Sequence, residues 1–268
     1  MISSRFDTVS RAVPAVSDAP VDAFTARLSE LYGLSQKSHY VFGSPLGPFY
    51  HHGRHLHLPR FVYFGPHTHD ESLRLAFLAG FDAADLRSSL ALAHLIERLA
   101  ITPDLGQGLN LSFFPLLDVA GLAHGMAARG LPLASWRDAG VPELNLLEKD
   151  ARARGYHGYV RLETTGTEEV ISVRLRNEVG GSPAASGIEL VSSVDFEPWP
   201  VRWEADALNS RVSDGPLTVG DDLPLQPFEL TLRLPQNWSA ELIREATNTI
   251  LKRFIIRHRA LQAYSQHL

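Results

Sequence analysis

The sequence predicts an α/β fold of three layers, α/β/α, built on a mixed and mostly parallel sheet. Strand-like segments recur at 61–64, 109–117, 158–163, 170–176 and 228–234. Segments with helical periodicity or helix-boundary residues lie between them, and strands separated by helices build a parallel sheet covered on both faces. Hydrophobic residues make up 44% and charged residues 21%, proportions that allow a sizeable core. With 268 residues, no internal repeat and no long linker, one domain is expected over 1–268, its first twenty residues a loose lead-in.

The elements follow in order. Asp18-Ala19-Pro20 supplies a helix start, and Val21, Phe24, Leu28 and Leu31 keep one apolar face until Gly33. The stretch GSPLGP at 43–48 is turn chemistry. RHLHLPRFVYF (54–64) reads as two short strands broken at Pro59, which cannot donate to a ladder. Helices are predicted over 71–81 and 85–100, the second with Leu86, Leu92, Ala93, Ile96 and Leu99 on its buried stripe. LNLSFFPLL (109–117) is a buried strand, and Pro142 and Gly155 bracket the next helix. Strands are expected at 158–163, 170–176, 188–194 and 228–234, with a passage rich in Pro, Gly and Asp over 195–227. Ser239 caps a last long helix, whose apolar face is Ile243, Ala246, Ile250, Phe254 and Leu261. Lys252, Arg253, Arg257 and Arg259 fall in its second half, where cations suit the helix dipole.

Composition excludes several functions. A net charge of -5 without a basic stripe argues against a nucleic-acid partner. The absence of cysteine removes disulfides, thiolate zinc cages and thiol nucleophiles. No run of about 18 apolar residues exists to span a membrane, and the first twenty residues lack the apolar core of a signal peptide, so a cytoplasmic protein is expected. There is no Gly-x-Ser-x-Gly elbow, phosphate-binding glycine loop or dinucleotide fingerprint. Nothing in the sequence sets an oligomeric state.

Histidine is the distinctive residue, with twelve in the chain. The stretch FGPHTHDES (64–72) places His67, His69, Asp70 and Glu71 within five positions after an apolar run. At three- and four-residue spacing, Asp70 or Glu71 in a first helical turn would point back to His67, giving half of a metal site. The plainer reading is a loop whose histidines satisfy backbone groups. Upstream, His51, His52, His55 and His57 form a second cluster, in which alternation puts His55 and His57 on one strand face; ligand spacing and a polar face both describe it.

Four stretches in order, FGPHTHDES, FFPLLDVAGLA (113–123), LASWRDAGVPELNLLEKDARARGYHGYVRLETT (133–165) and PFELTLRLPQ (227–236), resemble the zinc carboxypeptidase family, which includes succinylglutamate desuccinylase and aspartoacylase. The match spans about residues 55–260 and implies a zinc-carboxypeptidase-like fold. In that family one strand ends in Gly-x-His-x-x-Glu, two zinc ligands. A later strand ends in the third ligand, a histidine, and a last strand ends in the general-base glutamate. An Asn-Arg pair contributes the arginine that binds the substrate's carboxylate. Carried over, the resemblance implies His67 with Asp70 or Glu71 as metal ligands, Glu163 as an unusual third, and Arg137 holding a carboxylate. Leu117-Asp118 stands where the family has Asn-Pro, and Arg233 stands at the general-base position.

The resemblance implies a metal-dependent carboxypeptidase or N-acyl amino acid amidohydrolase, acting on a small carboxylate-bearing substrate or a peptide. Zinc is the family's metal; a His-Asp-Glu set is oxygen-rich and suits manganese, or the site holds no metal. Arginine cannot take a proton at working pH, so Arg233 cannot be a base. The alternative is a catalytically inactive relative, a pseudoenzyme that binds a ligand or partner. On that reading Glu163 and Arg233, both at strand ends, form an ion pair across the vacated metal site. Arg137 has a plainer reading too, a surface salt bridge with Asp138 or Glu143.

Overall fold

The computed structural model describes residues 19–70, 72–124, 131, 140–165, 168–176, 195–204 and 228–265. Its main sheet has eight strands in the order β1-β4-β6-β5-β7-β10-β8-β9. These are β1 (Val41–Gly43), β4 (Phe61–Phe64), β5 (Leu73–Leu78), β6 (Leu109–Phe114), β7 (Gly158–Thr164), β8 (Ile171–Arg176), β9 (Val201–Trp203) and β10 (Phe228–Leu234). A separate hairpin pairs β2 (Leu46–His51) with β3 (Arg54–Leu58). The four central strands β6, β5, β7 and β10 run parallel, while β4 and β8 flank them antiparallel.

Two apolar layers sandwich the sheet. On one face Phe77, Phe113, Val160, Leu230 and Leu232 pack with residues of α1 (Ala19–Ser35), α2 (Arg87–Ile101) and α5 (Ala240–Ser265). On the other, Ala76, Leu78, Phe114 and Tyr159 pack against Leu144, Leu147 and Ala151 of α4 (Pro142–Arg154) and Leu58 of the hairpin. A five-residue helix α3 (Val119–Ala123) follows β6. The fold class is therefore the predicted α/β/α arrangement. Among the described residues no helix is long and apolar enough to cross a membrane.

Local chemistry explains the boundaries. Pro142 opens α4 at its first turn, and Gly155 closes it in the left-handed region at φ 59. Ser239 Oγ accepts the Leu242 N–H at 3.2 Å, capping α5 as the sequence predicts. The strands expected at 109–117, 158–163, 170–176 and 228–234 all form, within a few residues at their ends.

One element differs in kind. The helix predicted over 71–81 is instead β5, a parallel strand hydrogen-bonded to β6 on one side and β7 on the other. Leu75–Leu78 are buried on both faces, so they need no polar stripe, and a run of apolar residues suits them. Two smaller differences are β2, which occupies part of the predicted turn at 43–48, and β9, a short strand within the predicted loop at 195–227. The strand expected at 188–194 lies outside the described residues.

Candidate functional site

Strands β7 and β10 are paired in parallel with Arg161 opposite Thr231 and Glu163 opposite Arg233. Alternation sends Arg161, Glu163, Glu229 and Arg233 to one face, where side chains from neighbouring strands meet. A ladder of alternating charge results. Arg161 bonds Glu229 Oε1 at 3.0 Å and pairs with Glu163 Oε1 at 2.6 Å. Arg233 Nε then reaches Glu163 Oε2 at 3.2 Å, and its Nη1 reaches Glu204 Oε2 at 2.5 Å. Arg161, Glu163 and Glu229 are all buried. Burial works to lower the Arg233 pKa, but the Glu204 hydrogen bond and the Glu163 charge outweigh it, and the net shift is upward. Arg233 is a fixed cation.

The loop after β5 closes over this ladder. Gly80 takes φ 68, and a side chain there would run into the backbone of Pro115 and Leu116. Phe81 follows, and the Arg161 guanidinium lies 4.6 Å from the centre of its ring. Asp82 Oδ1 accepts the Ala84 N–H at 2.8 Å. Asp85 is gripped by Arg87, with Nε to Oδ1 at 2.8 Å and Nη2 to Oδ2 at 2.5 Å. The same Arg87 donates to the carbonyls of Gln236 and Trp238, both at 2.8 Å, tying the loop to the residues after β10. Asp118, fully buried, accepts Gly121 N–H at 3.0 Å and Ala83 N–H at 3.3 Å. Glu143, equally buried, accepts Ala120 N–H at 3.1 Å. Both carboxylates thus anchor the turns around the carboxyl ends of the parallel strands.

The predicted first half-site lies elsewhere. Residues 65–72 join antiparallel β4 to the start of β5, with Phe64 paired to Asn110 and Leu73 to Leu109. This is the amino end of the parallel strands. Leu75 pairs with Gly158, so Glu163 stands five residues further along β7 than Leu75, about 17 Å at ~3.3 Å per residue. His67 and Asp70 therefore do not assemble with Glu163, and the expected His67–Asp70–Glu163 ligand set is corrected accordingly. Its premise was that a helix follows the stretch, whereas a strand does. Glu71 and Arg137 lie outside the described residues.

At its own edge the loop is tightly turned. His67 takes φ 61, Gly108 N–H donates to Pro66 O at 2.8 Å, and His69 N–H donates to Ser72 Oγ at 2.8 Å. An open cleft of about 890 Å³ includes His39, His67, His69, Asp70, Arg74 and Asn110 in its lining.

The carboxyl end of β5 carries a segment with the implied spacing that sequence reading passed over. Gly80-Phe81-Asp82-Ala83-Ala84-Asp85 sits between a parallel strand and helix α2, with aspartate at both ligand positions of Gly-x-His-x-x-Glu. The missing histidine hid it; the strand–glycine–helix order was the available signal. Arg161, Glu204 and Glu229 were also missed as members of the ladder. For Arg161 and Glu229 the signal was charged residues at alternate positions of buried strands; Glu204, just past β9, carried none.

The histidine cluster divides as well. His55 packs with Tyr50, ring centres 5.5 Å apart, while His51 and His52 turn instead to His124 at the end of α3.

No protein-family model matches the chain, and no curated protein matches it in sequence. Its structure is similar to a metallo-carboxypeptidase from Burkholderia cenocepacia, with TM-score 0.66 and 14% identity over 88% of this chain and 69% of that one. It is similar to a metallo-carboxypeptidase from Pseudomonas aeruginosa in complex with (2-guanidinoethylmercapto)succinic acid, with TM-score 0.61 and 14% identity over 86% and 68%. Bovine thrombin-activatable fibrinolysis inhibitor, in complex with tick carboxypeptidase inhibitor, gives TM-score 0.60 and 10% identity over 90% and 97%. At such identities the likeness establishes the fold, which is zinc-carboxypeptidase-like.

Proposed function

We propose that the chain is a non-catalytic relative of the zinc carboxypeptidases, a binding module that keeps the fold and has an ion-pair ladder where the metal centre stood. The observation that supports this reading is the Arg233–Glu163 pair at 3.2 Å. It joins the implied general-base position directly to the implied third-ligand position.

The residues present do not fit zinc at that end of the sheet. A catalytic zinc site uses about three protein ligands, commonly imidazoles, and keeps one place open. Here the corresponding side chains are Asp82, Asp85 and Glu163, all oxygen donors. Asp85 is held by Arg87, and Glu163 lies between two guanidinium groups. Manganese, though better suited to oxygen, faces the same competition. Arg233 cannot replace a general base, because it stays protonated.

The ligand class that best suits the inherited fold is a small carboxylate-bearing molecule or a peptide carboxylate. The Pseudomonas neighbour holds a succinic acid derivative. Arg137, the arginine carried over from the family's carboxylate-binding pair, is the proposed partner, since its planar fork accepts a carboxylate in bidentate fashion.

The deciding experiment uses tag-free protein with zinc or manganese and a panel of N-acyl amino acids and short peptides. Calorimetry and product detection run side by side. Binding without turnover, weakened about tenfold by Arg137→Ala, is the expected result. Metal-dependent turnover that disappears in Glu163→Gln would replace this reading with the metallohydrolase one.

A further inference from the structure

We infer that His51, His52 and His124 form a binding site for a divalent transition-metal ion of the zinc class, clamping the β2–β3 hairpin to the end of α3. Among the described residues these three are the group whose metal-capable atoms gather, all within 4.8 Å of one another. Their ring centres form a triangle with sides of 4.4, 4.9 and 5.0 Å, and every pair meets edge to face. Neither the fold nor the ion-pair ladder explains this convergence. His51 ends β2, His52 lies in the hairpin turn, and His124 is about seventy positions further along the chain.

The chemistry of the donors points the same way. Three imidazoles suit zinc, copper and nickel, and three protein ligands with one open place is a recurring zinc arrangement. His124 Nδ1 lies 2.7 Å from Ala120 O. A carbonyl oxygen only accepts, so Nδ1 carries the proton and Nε2 keeps its lone pair for a metal. Such a hydrogen bond from the second ring nitrogen is the usual way a ligating histidine is oriented. Zn–N bonds of about 2.0–2.1 Å place ligand atoms roughly 3.3 Å apart, so closing the site needs movements of about 1 Å, which the exposed His52 and His124 side chains can make.

The backbone prepares the site too. His52 takes φ 41, a left-handed conformation uncommon outside glycine, which directs its ring toward its two neighbours. Arg54 Nη1 donates to Ala123 O at 3.1 Å, holding the hairpin against α3 one residue before His124. His52 and His124 are exposed and His51 is half-buried, so solvent reaches the open coordination place.

The test is zinc titration of the full tag-free chain, stripped with a chelator and measured by competition with a chromophoric zinc indicator. One zinc per chain is expected, together with a rise in Tm when zinc is added. His124→Ala and His52→Gly should each weaken zinc at least tenfold and abolish the Tm rise. His52→Gly relieves the positive φ, so its loss of zinc cannot be ascribed to unfolding. His55→Ala/His57→Ala and His67→Ala/His69→Ala should leave zinc affinity unchanged. Unchanged affinity in both His124→Ala and His52→Gly, or equal loss in the control variants, would overturn the site. Loss in Glu163→Gln alone would put zinc at the carboxyl end of the sheet, overturning this inference and the non-catalytic reading together.

Discussion

Arg233 Nε lies 3.2 Å from Glu163 Oε2, across a register that sets the two residues opposite each other on β10 and β7. A ligand histidine and a base glutamate at these places would need a metal and a water between them. An arginine and a glutamate need nothing between. With Arg161, Glu229 and Glu204 they form a ladder in which every charge has an opposite neighbour. The residues at the two strand ends therefore make sense together and not singly.

Removing Glu163 leaves Arg161, a buried cation, with only Glu229 of its two ladder partners, and deprives Arg233 of one of its own. Breaking a buried pair by deleting one member costs about 3–5 kcal/mol. Glu163→Ala is expected to fall in that range by urea unfolding. Arg233→Ala should cost less, because its side chain is 31% exposed and water can solvate Glu163 from that side. Equal losses in the two variants would mean that the ladder does not act as drawn.

Asp118 holds two N–H groups, one from the loop after β5 and one from the first turn of α3. Asp118→Ala orphans both, at about 1–3 kcal/mol for a buried group left unpaired. Gly121→Ala attacks the same contact from the other side, since its Cβ would overlap the Asp118 carboxylate. Thermal melts should show both variants destabilised and the double variant well short of the sum, because the two changes share one contact.

Most of the sheet was legible because glycine, proline and other turn residues set its strand-like segments off from their surroundings. Gly158–Thr164 and Phe228–Leu234 sit where the sequence puts them, as does the helix opened by Pro142 and closed by Gly155. Leu73–Leu78 was not, since its last four residues, apolar and buried on both faces, have no period to tell strand from helix. That one element decides where the site falls. Once a helix was expected after Asp70, His67 became a first ligand, although His67 and Glu163 stand at opposite ends of the parallel strands. The segment with the implied spacing at the carboxyl end of β5, Gly80 to Asp85, carries no histidine to mark it. The Glu163–Arg233 pair was readable, because both strand ends were placed correctly.

His157 offers a pH test of the amino end. Burial, and then the Arg74 charge, hold its pKa below the usual histidine value, and its Nδ1 accepts the Arg74 N–H at 3.1 Å. A lowered folded pKa means the unfolded chain takes up the proton first. Stability is then full above the ordinary value near ~6.5 and is lost as pH falls below it. His94 adds a loss in the same direction, through burial and then the charges of Arg244, Arg98 and Arg27. In His157→Asn an amide oxygen replaces the acceptor and cannot be protonated. Its urea midpoint should drop less than wild type between about pH 7.5 and about pH 5.5. Parallel drops would exclude His157 as a contributor.

Glu163→His restores the residue that the family resemblance places at the third-ligand position, and it should restore nothing else. A neutral imidazole cannot balance Arg161 and Arg233, so both cations lose a partner in one step. Asp85 remains locked by Arg87, whose other nitrogen ties the loop to the Gln236 and Trp238 carbonyls. Freeing that carboxylate for a metal would loosen the closure over the whole strand end. The variant, made in a His124→Ala background to silence the histidine triangle, is therefore expected to be less stable by about 3 kcal/mol. Its zinc affinity should stay within a few-fold of the parent. A gain of a hundredfold or more in the indicator competition would mean that Asp82 and Asp85 are free to ligate, and that the centre was one substitution from a metal site. The ladder makes the opposite outcome the physical expectation: reversal has to be concerted, because each charge in it is balanced by the next.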